Sequence, residues 1–187
     1  MRERAYEGAG NRLGPGSPTL ARRATAEAVG TALLVAAVVG SGIMAERLSG
    51  GNTGVALLAN SLATGGALVA LILAFGGISG AHFNPVVSLV SAAAGELPAA
   101  AVVAYAAGQF GGAVAGVVSA NLMFGEPAVA WSQHARSGLP QAFGEVVATF
   151  GLVATIIGCA RHRPDAVPFA VAAYIDNPDI ELEGLME

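Results

Sequence analysis

Residues 55–75 contain no charged side chain, and no Pro interrupts them. A helix of that length is about 31 Å long, which matches a bilayer hydrocarbon core of about 30 Å. A helix that is apolar on every face has no soluble surface to present. Three further runs behave alike: 24–45, 99–123 and 139–160 hold at most one charge each. The whole chain of 187 residues is 12% charged, with a mean hydropathy of +0.62. A soluble domain averages about 25% charged, so the runs predict an all-α, polytopic membrane protein.

The stretch between residues 76 and 98 does not fit a simple span. Gly76-Gly77-Ile78-Ser79-Gly80 reads as a glycine-rich turn, and Asn84-Pro85 opens a helix that stops before Gly95-Glu96-Leu97-Pro98. Proline suits the first helical position, where its missing N–H costs nothing. The helix over 85–94 rises only about 15 Å, half the hydrocarbon core. Irregular backbone survives at membrane depth only where protein buries it or a wet cavity lies beside it. The expectation is a half-helix that dips in and returns, with carbonyls from Gly77 to His82 along one wall. The helix start and the Asn84 amide would then supply donors at the deepest point. Such a path orients a small neutral polar solute and disfavours a cation. The plainer alternative is that Asn84 is an N-cap and nothing more.

A repeat stands beside this motif. Glu27, Val29, Thr31, Leu34, Val35, Ala36 and Gly40 recur as Glu145, Val147, Thr149, Leu152, Val153, Ala154 and Gly158, at a constant offset of 118. Three spans separate the two starts, so the second copy is inverted, and inverted repeats place a solute path at their interface. An ionisable residue within a span is a functional candidate. Glu27 and Glu145 read either as a proton relay or as acceptors for the backbone of a re-entrant loop. Gly108, Gly112 and Gly116 share the spacing of a close helix–helix seam, within or between subunits. Tyr105 and Trp131 suit interfacial anchors.

Ser79-Gly80-Ala81-His82-Phe83-Asn84-Pro85-Val86 resembles the first Asn-Pro-Ala loop of the aquaporin, or major intrinsic protein, family, with Val86 in place of Ala. The resemblance runs over 24–175. It implies an inverted-repeat bundle and a passive channel for water, with no cofactor. It implies a pore lined by Gly80, Ala81, His82, Asn84, Pro85 and Val86, and loops propped by Glu27 and Glu145. Thr64 falls where water-only members carry a bulky aromatic, so the resemblance implies a wider mouth for glycerol-like or neutral metalloid solutes. It also implies a homo-oligomer, a tetramer, in the cell membrane.

Other classes find little footing. No basic patch with interleaved aromatics suggests nucleic acid. The lone Cys159 excludes a disulfide framework, and His82 has no second ligand at metal spacing. No nucleophile–base pair or phosphate loop suggests an enzyme. No cleavable leader is expected from the polar, Arg-rich tail over 1–23, which reads as disordered. A cytoplasmic N-terminus would place seven of nine arginines inside, in line with the positive-inside rule. The offset of 118 predicts a second Asn-Pro turn near position 202, past the last residue, Glu187. Asn177-Pro178 lacks the glycine-rich approach, and five acids occupy 176–187. The sequence therefore reads as four spans, a partial fifth over 166–175 and an acidic non-family tail, with conduction impaired. Two rivals remain: a remnant that assembles with full-length subunits, and a secondary transporter with a broken helix.

Overall fold

A computed structural model describes residues 17–129 and 138–175. The tail before Ser17, Trp131 and the acidic stretch after Ile175 lie outside the described residues. The described residues are all helical with connecting turns. Helices α1 (Leu20–Leu48), α2 (Thr53–Ser79), α4 (Ala99–Met123) and α5 (Leu139–His162) are each long and apolar enough to cross a membrane. Between them lie the nine-residue α3 (Pro85–Ala93) and, after a 3-10 turn at Pro164–Ala166, α6 (Val167–Ile175).

The spans are longer than their charge-free cores. Helix α1 begins at Leu20, not Ala24, because the Thr19 hydroxyl accepts from the Arg22 N–H at 3.2 Å and caps it. Residues 20–23, expected in the disordered tail, are its first turn. Helix α2 continues through Gly76 and Gly77, since a glycine inside a span still needs its backbone bonded. It ends at Gly80, whose φ of 93° is the left-handed C-cap that glycine adopts freely.

Three contacts fix the direction of the chain. Arg23 near the start of α1 meets Tyr105 near the start of α4. Arg47 near the end of α1 bonds the Phe124 carbonyl at 2.9 Å and Glu126 at 2.6 Å just past α4. Helices α1 and α4 are therefore parallel. Helix α2 runs opposite to both, since Ser41 bonds Asn60 at 2.7 Å and Glu27 bonds Ser79 at 2.5 Å. The chain leaving α2 is thus already at the end where α4 begins. Helix α3 has to enter and come out on the same side.

The α1–α4 contact is built on glycine. A Cβ at Gly108, Gly112 or Gly116 would lie 2.8, 2.2 or 2.5 Å from the carbonyl oxygens of Ala24, Ala28 and Ala32 in turn. The stripe is an intramolecular seam, and it brings two backbones to a distance only glycine permits.

Candidate functional site

The irregular segment between α2 and α3 is short, Gly80 to Asn84, and it is strained. Ala81 and Phe83 adopt φ of 51° and 49°, left-handed values that cost a residue with a Cβ about 1–3 kcal/mol each. Such strain persists only where the surroundings over-determine it. Glu27 supplies most of that. Its carboxylate is fully buried and accepts four bonds. Oε1 takes the Ser79 hydroxyl at 2.5 Å and the His82 N–H at 3.0 Å. Oε2 takes the Phe83 N–H at 2.7 Å and the Gln109 amide at 2.9 Å. The Phe83 ring fills a notch that exists because Gly30 has no side chain; a Cβ there would lie 2.0 Å from the ring.

Helix α4 adds a second set of bonds from one face. Tyr105 is fully buried and donates to the Ser79 carbonyl at 2.6 Å. Gln109, one turn on, donates from Nε2 to Glu27 and also to the Ser88 hydroxyl at 3.1 Å. His82 Nδ1 lies 3.0 Å from the same hydroxyl, and its ring meets Tyr105 edge-on at 5.4 Å. Gln109 stands about 15 Å into α4 along the helix axis, so Ser88, which it bonds, lies beside the middle part of that helix.

Asn84 takes the role that the plainer alternative gave it. Its Oδ1 accepts from the Val86 N–H at 2.8 Å, so it is an N-cap. That bond fixes the carboxamide and leaves Nδ2 without a partner among the described residues.

The sequence-derived site residues fall into three groups. Gly80 and His82 line a recess of about 350 Å³, with Ser79, Arg23, Ser91 and Glu96. Val86 faces the other way. It lines an open groove with Val90 of α3 and Glu145, Thr149 and Phe150 of α5. Ala81 and Thr64 are buried, and neither lines the recess. The carbonyl wall expected from Gly77 to His82 is shorter than that. Gly77 and Ile78 are helical, and the Ser79 carbonyl is taken by Tyr105. Glu145 is exposed and holds no loop among the described residues. Ser79, Ser88, Tyr105 and Gln109 were not singled out as site residues. Their one sequence signal is that Tyr105 and Gln109 share a helix face with Gly112 and Gly116, where every other buried residue is small.

Four membrane-length helices around a half-helix that re-enters from one side define a polytopic α-helical membrane protein with broken-helix architecture. The chain belongs to the Major intrinsic protein family, whose pattern matches residues 16–174. It is 51% identical over 156 residues to "Aquaglyceroporin AqpS" of Rhizobium meliloti (strain 1021), covering 83% of this chain and 66% of that protein. It is 35% identical over 171 residues to "Probable aquaporin TIP1-2" of Oryza sativa subsp. japonica, covering 84% of this chain and 68% of that protein. The fold is similar to the X-ray structure of the aquaglyceroporin from Plasmodium falciparum, with a TM-score of 0.68 at 21% identity over 90% of this chain and 73% of that one. The chain thus spans about two thirds of the length of the two curated relatives.

Proposed function

We propose that this chain provides a passive membrane path for water and small neutral solutes, with Asn84 as its deepest donor. The supporting observation is the Asn84 carboxamide, fixed by its bond to Val86 at the start of α3 and with no partner for Nδ2 among the described residues. The names of the relatives support the same solute class. The position of Thr64, where the family resemblance implies a wider mouth, extends the proposal to glycerol-like and neutral metalloid solutes, although Thr64 is buried and lines no recess. The transporter reading loses its best candidate, because Glu27 spends its carboxylate on four internal bonds and has no oxygen left for a coupling ion. The N-terminus is assigned to the cytoplasm from the arginine bias, and the assembly to a homo-tetramer of the cell membrane.

Glu145, without a partner among the described residues and beside the open α3–α5 groove, favours one second reading, assembly with a full-length subunit. Co-purification with an intact relative tests it. The test of conduction is an osmotic jump on proteoliposomes of the full chain. Faster shrinkage than protein-free vesicles, lost in Asn84→Asp, is expected. Shrinkage equal to the protein-free rate overturns conduction by this chain.

A further inference from the structure

The loop network uses only half of the Gln109 amide. The side chain is 2% exposed, and its Nε2 donates to Glu27 Oε2 at 2.9 Å and to the Ser88 hydroxyl at 3.1 Å. Its carbonyl oxygen, Oε1, is buried and has no partner among the described residues. Turning the amide over does not help. Oε1 would then face the Glu27 carboxylate, acceptor against acceptor. It would also face the Ser88 hydroxyl, which already donates to the Asn84 carbonyl at 3.2 Å. Glu27 therefore sets which end of the amide is which. Oε1 is turned away from both groups that Nε2 bonds.

A second buried atom is in the same position. Thr31 is 4% exposed, and its Oγ1 has no partner among the described residues. Thr31 follows Glu27 by one turn of α1, so the two share a face. Both unpaired atoms thus flank one carboxylate, Gln109 through a bond and Thr31 through the helix. They also belong to the two helices that meet along the glycine seam. The neighbouring hydroxyls are already committed. Tyr105 donates to the Ser79 carbonyl, and Ser79 donates to Glu27.

A buried amide oxygen or hydroxyl that finds no protein partner is ordinarily satisfied by ordered water. Water both donates and accepts, so it suits an acceptor on α4 and a hydroxyl on α1 alike. It is also neutral, which matters beside Ala24, Ala28 and Ala32, where a charge would be costly. We propose that the α1–α4 seam is a hydration site, in which internal water donates to Gln109 Oε1 and pairs with the Thr31 hydroxyl. This water is bound, not conducted, and the site does not depend on the channel reading. It steadies, from the side away from the loop, the amide that joins Glu27 to Ser88. The loop N–H groups keep their carboxylate on the other side.

Two measurements on the full chain test the site. The first is a structure in lipid at a resolution that shows ordered water. A density peak about 2.7–3.0 Å from Gln109 Oε1 is expected. No peak there, with water visible on other buried groups, overturns the proposal, and so does a protein donor on Oε1. The second is the sign of a stability change. Thr31→Val keeps the shape of the side chain and removes the hydroxyl. A hydroxyl bonded to water loses that bond, so the melting temperature should fall by about 2–4 °C. A buried hydroxyl with nothing to bond is a liability, and valine there would raise the melting temperature. A rise, or no change, overturns the role of Thr31. The density at Gln109 decides the site even if the valine variant fails to fold.

Discussion

At the scale of single residues, the loop stands on one carboxylate. Glu27→Ala would leave the His82 and Phe83 N–H groups unpaired in a dry site, where each costs about 1–3 kcal/mol. Ser79 and Gln109 would lose their acceptor as well. The expected outcome is a loss of about 3–5 kcal/mol, read as a collapse of the thermal transition in detergent. Glu27 was legible because a charge in a span that recurs at a fixed offset demands a reason. The pair Tyr105 and Gln109 was not. A tyrosine near the end of an apolar run reads as an interfacial anchor, and only the fold shows it turned inward onto Ser79.

At the scale of elements, the α1–α4 seam decides whether the loop has a wall to lean on. Both halves of the network, Glu27 on α1 and Tyr105 with Gln109 on α4, depend on the two backbones meeting. Gly112→Val would set a branched side chain where a Cβ alone already comes within 2.2 Å of the Ala28 carbonyl, and backbone cannot swing aside. Overpacking of this kind costs about 1–3 kcal/mol or more. The variant should lower the melting temperature and leave His82 open to diethyl pyrocarbonate; wild-type behaviour in both would show that the seam is not needed. The glycine spacing was visible in the sequence, but in a chain with 26 glycines its partner was not. The end of α2 was misplaced for a related reason. Gly76 and Gly77 look like a break, yet inside a bilayer a glycine keeps its helical bonds until a left-handed cap, here Gly80, releases the chain.

At the scale of the whole molecule, the two repeat copies are treated differently. Glu27 is buried under four bonds, while its counterpart Glu145 faces a groove of Val86, Val90, Val146, Thr149, Phe150 and Val153 with no partner among the described residues. Glu145→Gln should therefore change stability by under about 1 kcal/mol, in contrast to Glu27, since no internal bond is lost. A melting shift as large as that of Glu27→Ala would mean that Glu145 is engaged after all. The spans and the repeat could be read from charge-free runs and register. Which glutamate holds a loop could not, because that depends on what packs against each one.

The re-entrant path of α3 can be tested through sidedness. Single cysteines at Ser17, Glu96 and Gly50, in a Cys159→Ser background, would be labelled from each face of oriented vesicles with a membrane-impermeant thiol reagent. The expected result is that positions 17 and 96 react from one face and position 50 from the other. Labelling of position 96 from the same face as position 50 would mean that residues 80–93 cross the bilayer outright, and the site described around Asn84 would not exist.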